Sequence, residues 1–221
     1  MTGGEAATDN IGPARGHRVL RSPEAAEHGV WHHGSMSLET GSKPWELLSQ
    51  RPGPSCWINV VTNTYRMPDG TKTDWDVMVT SDSVAVVALT DAQEIVLARQ
   101  YRPGPDCVLD ELPGGELNEG ETVLAAAIRE LSEETGYGGG EVAVIGHTWQ
   151  GANITRRKWA AVAINCRRIG SPALDPSEEF CETVLVPLSE FRRRLQAGQF
   201  TDAWAGYVGL DHLGLLGSPE S

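Results

Sequence analysis

The chain has 221 residues, 40% apolar and 22% charged, with a formal net charge of −12. That length holds one core domain with or without an appendage, and no apolar run reaches the roughly 18 residues a membrane helix needs. The acidic balance argues against a general nucleic-acid binder, which carries a basic face, and the lack of a basic-then-apolar leader predicts a cytoplasmic protein.

Residues 1–43 are rich in Gly, Ala, Glu and His with no sustained apolar period, and are expected to form a mobile tail. The His32-His33 pair within it is read as solvated rather than metal-binding. Residues 44–80 form the expected N-terminal β arm. There Trp57–Thr62 is rich in β-formers, Met67-Pro68-Asp69-Gly70 is a turn signal, and Thr73–Val79 is extended, so an antiparallel hairpin is predicted.

Residues 81–216 form the expected main domain. Ser83–Leu89 reads as a buried strand, Asp91-Ala92 as a turn and Glu94–Arg99 as the returning strand. A short extended piece, Leu109–Leu112, precedes Pro113-Gly114-Gly115. The spacing then predicts a helix over Glu119–Thr135, capped by Asn118 with Glu121 completing a capping box and Gly136 as the stop. Val142–Trp149, Trp159–Ile164 and Val184–Val186 read as strands. Ser189–Gly198 reads as a helix capped by Ser189, and a last helix is expected over about Asp202–Leu216. Strands mixed with helices on this scale indicate an α/β or α+β sandwich with a mixed sheet. Cys56, Cys107, Cys166 and Cys181 lie far apart with no C-x-x-C pair, which predicts buried thiols rather than zinc ligands or disulfides.

The helix after Gly115 carries the chemistry. At about 100° per residue, with Glu130 at zero, Glu134 falls at about 40° and Glu133 at about 300°, so three carboxylates share one face. Leu131, Leu124 and Ile128 fall at about 100–160° and form a stripe expected to pack on a sheet. Clustered glutamates near a helix C-terminus repel one another and oppose the dipole. A divalent cation offsets both penalties, and magnesium prefers carboxylate oxygens and bridges to phosphates. Arg129 lies beside this face and can orient a carboxylate.

The run from Gly115 to Tyr137 fits the pattern G-x5-E-x7-R-E-U-x-E-E-x-G-U, where U is apolar. Gly115, Glu121, Arg129, Glu130, Leu131, Glu133, Glu134, Gly136 and Tyr137 fill the defined positions, Tyr137 the most loosely. This resembles the Nudix box. Trp45-Glu46-Leu47-Leu48, the Met67–Gly70 turn, Arg99-Gln100-Tyr101-Arg102, Glu111–Gly115 and the Thr201-Asp202-Ala203 helix start are similar to the family's ADP-ribose pyrophosphatase branch.

The resemblance implies an α/β/α sandwich and cleavage of a phosphoanhydride in a nucleoside diphosphate derivative, with magnesium, or manganese in its place, as cofactor. Glu130, Glu133 and Glu134 and the Gly114 carbonyl would bind metal, while Arg129 holds the carboxylates. Glu178 or Glu179, in the acidic stretch Asp175–Glu179, would accept the proton of the attacking water. Arg102 and Glu111 would line the diphosphate pocket, and Trp149 is a candidate for stacking on a base or sugar. The hairpin over 55–80 resembles a dimer-forming arm, which implies a homodimer.

The chain departs from that branch at Trp149-Gln150-Gly151-Ala152-Asn153, where its proline-containing run is missing, and at Arg156-Arg157-Lys158, where an acidic residue is usual. The three cations are read either as selecting a more anionic substrate or as an exposed basic spot. Two further readings stay open: a nucleotide-sensing module that does not hydrolyse, and a pathway-specific hydrolase of another diphosphate. The box retains every acidic position, which favours hydrolysis.

Overall fold

In the computed structural model the described residues are 58–66, 71–174 and 181–217. The tail over 1–43, the His32-His33 pair, Trp45–Leu48, Cys56, Trp57, the Met67–Gly70 turn and the pair Glu178 and Glu179 lie outside them.

Strands β1 (Asn59–Arg66) and β2 (Lys72–Val79) form a separate two-stranded antiparallel sheet. Their β-branched runs suit a pleated surface. Val61, Tyr65, Trp75, Val77 and Val79 alternate onto one face, while Thr62 and Thr64 on the other donate to Asp76 and Asp74 across the strands. Ile58, Val60, Tyr65, Trp75 and Val79 are exposed. The end of β2 is tied down by Met78 N to Asn153 O at 2.9 Å and Thr155 N to Met78 O at 3.0 Å.

The main sheet runs β10 (Glu182–Pro187), β4 (Glu94–Arg102), β3 (Ser83–Thr90), β9 (Arg157–Arg168) and β7 (Tyr137–Gly138). On it β5 (Cys107–Glu111) pairs with β4, β6 (Gly114–Glu116) with β3, and β8 (Glu141–Trp149) with β9. The β3–β9 ladder is parallel and the others antiparallel, so the sheet is mixed.

Period-two alternation in β3 decides the layering. Val84, Val86 and Ala88 face α1 (Val123–Thr135) and pack with Ala126, Ala127 and Leu131. Ala85, Val87 and Leu89 face α2 (Leu188–Gln196) and α3 (Ala203–His212), packing with Phe191, Leu195, Ala205 and Leu210. Helices therefore cover both faces, which is the α/β/α sandwich expected from sequence.

Expectations for all three helices are corrected. Helix α1 begins at Val123, not Glu119, and its cap is Thr122, whose hydroxyl accepts the Ala125 amide at 3.2 Å. Gly120 holds φ at +77°, outside the helical region, so the chain turns there instead of winding. Asn118 and Glu121 still bond reciprocally, amide to carboxylate at 2.9 Å and amide to carbonyl at 3.0 Å, but they close a turn before the helix.

The buried stripe of α1 is also not the one expected. Leu131 is buried, yet Leu124 and Ile128 are exposed, at 43% and 50%. Ala126, Ala127, Glu130, Glu134 and Thr135 take the inner face instead, since small alanines let the helix approach the sheet. Helix α2 starts at Leu188 after Pro187, so Ser189 lies inside it and makes no cap bond. Helix α3 ends at His212, where Gly214 takes φ +67° and stops it before Leu216.

Candidate active site

The site grows from β6 and α1. Gly115 lies directly over Glu130, whose carboxylate fills the space a Cβ would take. A side chain at that position would displace the carboxylate, which accounts for the glycine. Glu134 is 1% exposed, and its carboxylate accepts the Gly114 amide at 2.9 Å. Glu130 is buried beside it, while Glu133 is half-buried and faces outward.

Arg129 organises these acids. Its Nε and Nη2 donate to the two Glu121 carboxylate oxygens at 2.9 and 3.0 Å. Nη1 donates to Glu130 at 2.7 Å and to Glu133 at 3.0 Å, and Nη2 also reaches the Glu116 carbonyl at 3.1 Å. The Glu121 pairing holds the guanidinium firmly charged, and Glu133 and Glu130 reinforce it. Arg129 and the Asn118 amide in turn keep Glu121 below the usual glutamate range. Glu121 thus ties Arg129 to the turn that precedes the helix.

Among the described residues no three His, Cys, Asp or Glu side chains are gathered in a way that would hold a metal ion. The side chains of Glu130, Glu133 and Glu134 offer only carboxylate oxygens, the donor chemistry of a hard divalent cation rather than of zinc.

Arg102 and Glu111 meet in an ion pair at the junction of β4 and β5. Glu111 is 3% exposed and also accepts the Thr201 hydroxyl at 2.5 Å, from just before α3. Trp149 is 62% exposed at the end of β8, so it is not a core residue. Its register partner Arg157 lies over Trp159, 5.3 Å from the ring.

The basic run is not a free cationic patch. Arg156 pairs with Glu116, Arg157 with Asp82 at 2.6 Å, and Lys158 with Asp202 at 2.5 Å. Each charge has a carboxylate partner from a distant part of the chain. Asp82 carries no motif, and Thr201 and Asp202 are legible only as a helix start; their partners Arg157, Glu111 and Lys158 lie far along the chain, and the fold brings them in.

Segment 175–180 is flanked by residues pinned to the end of α1. Ala173 N donates to Glu133 O at 2.8 Å, and the Cys181 thiol lies 4.0 Å from Glu134 O. Thr183 donates to Thr135 O at 3.0 Å. Cys166 is buried in the sheet, and burial raises its thiol to about 11, so it is inert at neutral pH.

The NUDIX domain model matches residues 79–204. The ADP-sugar pyrophosphatase of Mus musculus is 30% identical over 169 residues, covering 69% of this chain and 75% of that protein. The chain belongs to the Nudix family. The ADP-ribose pyrophosphatase of Saccharomyces cerevisiae is 34% identical over 95 residues, which is 38% of this chain and 41% of that protein. The chain thus spans well under two thirds of the yeast relative. A solved structure described as an ADP compounds hydrolase superposes with a TM-score of 0.62 at 20% identity, over 79% of this chain and 98% of its own, and shares the Nudix fold. No helix among the described residues is long and apolar enough to cross a membrane.

Proposed function

We propose that this Nudix protein hydrolyses the phosphoanhydride of a nucleoside diphosphate derivative, ADP-ribose or a nucleotide sugar, to a nucleoside monophosphate and a phosphorylated product. The observation that carries the reading is the complete acidic face of α1, with Glu130 and Glu133 held by Arg129 and Glu134 by the Gly114 amide. A nucleotide sensor has no need of that face, so a sensing role without hydrolysis is the poorer reading. The mouse relative's name, ADP-sugar pyrophosphatase, supports the substrate class.

Glu130, Glu133, Glu134 and the Gly114 carbonyl would hold magnesium, or manganese in its place. When bound, the cation neutralises the diphosphate and acidifies a water. Arg102 orients the diphosphate from the β4–β5 junction, and Glu111 fixes Arg102. Glu178 or Glu179 accepts the proton of the attacking water. Support for that assignment comes from the flanks, Ala173 and Cys181, which meet α1 at Glu133 and Glu134. Trp149 offers a ring to the base or sugar. The exposed apolar residues of the β1–β2 hairpin support a homodimer formed through that arm, and sedimentation as a monomer at micromolar concentration overturns it.

The deciding experiment is a chromatographic screen of ADP-ribose, nucleotide sugars, NADH, coenzyme A, dinucleoside polyphosphates and nucleoside triphosphates, with magnesium and then manganese. Selective cleavage of one diphosphate, lost in Glu134→Gln, establishes the reading. No cleavage of any of them by the wild-type protein overturns it.

A further inference from the structure

We propose that Thr201 is a positioning residue for diphosphate binding, acting through Glu111 on Arg102; this rests on the reading of Arg102 as a diphosphate contact. Glu111 is almost fully buried, and a buried carboxylate needs hydrogen-bond partners on both oxygens to stay in one orientation. Oε2 takes the Arg102 guanidinium, and Oε1 takes the Thr201 hydroxyl at 2.5 Å. Arg102 remains partly open to solvent, so its outward donors are available to a ligand while Glu111 fixes its inner edge. The hydroxyl has a single proton and two acceptors within reach, Glu111 at 2.5 Å and Asp202 at 3.3 Å. Lys158 holds Asp202 from the other side at 2.5 Å, which leaves the shorter bond to Glu111 as the one the proton serves. The start of α3 thereby sets the pose of an arginine on β4 that it does not touch in sequence.

The test is steady-state kinetics with ADP-ribose and magnesium on Thr201→Val, Thr201→Ser, Arg102→Ala and the Thr201→Val/Arg102→Ala double variant. Thr201→Val is expected to raise KM about tenfold with kcat within about twofold. Thr201→Ser, which keeps the hydroxyl, restores the wild-type KM. Arg102→Ala raises KM about a hundredfold, and adding Thr201→Val makes it no worse, because the two act on one contact. Additive effects, or a Thr201→Val enzyme with unchanged KM beside an impaired Arg102→Ala, overturn the role of Thr201 alone. An Arg102→Ala enzyme with unchanged KM overturns the diphosphate reading of Arg102 and this inference with it. Where the screen selects another diphosphate, that substrate replaces ADP-ribose in these assays, and no turnover of any of them overturns the proposed function and this inference with it. Should Thr201→Val melt well below wild type, the Thr201→Ser comparison decides: a Ser variant with raised KM also overturns the proposal.

Discussion

Arg129 and Glu121 form a two-point pair, at 2.9 and 3.0 Å, that ties α1 to the turn preceding it. The same guanidinium also reaches Glu130 and Glu133. Only a planar fork with several donors spans all three carboxylates, and a lysine ammonium cannot. Arg129→Lys is therefore expected to weaken magnesium activation by about 10- to 100-fold, the effect of removing a group that orients metal ligands. A magnesium titration of activity checks this. An unchanged half-saturation point would show that the acids keep their geometry without the fork.

Glu134 is the most deeply buried of the acids, and the Gly114 amide donates to it. Glu134→Gln keeps a carbonyl oxygen to accept that amide but removes the charge a cation requires. Activity should fall by at least about a hundredfold, with the thermal midpoint within a few degrees of wild type. A variant retaining full activity would sink the assignment of this face as the metal site.

Much of the site is legible in the sequence because it is local. The box residues lie within one loop and one helix, and helical spacing alone puts the three carboxylates on one face. The inner face of α1 is not legible in the same way, because a helical wheel ranks residues by hydrophobicity, whereas the sheet selects them by fit. Ala126 and Ala127 lie against Val84, Val86 and Ala163, and the buried Glu130 and Glu134 take the inner positions that hydrophobicity assigns to Leu124 and Ile128. The contacts of Asp82, Asp202 and Thr201 escape the sequence pattern for another reason. Their partners come from distant strands, and no short spacing encodes a contact formed by sheet topology.

The inner face of α1 has a direct test. Leu131→Ala removes a buried side chain and should cost about 2–5 kcal/mol. Ile128→Lys alters an exposed one and should stay within about 0.5 kcal/mol of wild type. Urea denaturation of both variants checks the pair. Equal losses would restore the stripe that the helical wheel suggests.

Gly209 on α3 faces Val87 of the central strand, and a Cβ there would come within 2.5 Å of the Val87 Cγ2. Val87 is fully buried and β-branched, so it cannot rotate away cheaply. Gly209→Ala gains up to about 1 kcal/mol of helix propensity, but overpacking costs about 1–3 kcal/mol. A net loss of up to roughly 2 kcal/mol is expected, read as a thermal midpoint lowered by up to about 8 °C. Activity at 25 °C should be unchanged, since the Val87 side chain that an added Cβ would meet is no part of the proposed site.

Asp82 accepts the Arg157 guanidinium at 2.8 Å, the Arg157 amide at 3.0 Å and the Trp159 indole at 3.1 Å. Burial works to raise its pKa, but the Arg157 and Trp159 bonds outweigh it and hold the carboxyl below the usual aspartate range. A carboxylate with a depressed folded pKa adds stability that is present above its unfolded pKa, about 3.9. That stability is lost as pH falls through the lower folded value. Between about pH 4 and pH 2, wild-type stability should therefore decline more steeply than that of Asp82→Asn, whose amide does not titrate. Urea midpoints across that range measure the difference. Parallel curves would mean that the aspartate titrates alike in the folded and unfolded chain, and that the Arg157 pair contributes nothing to the anchoring of β9.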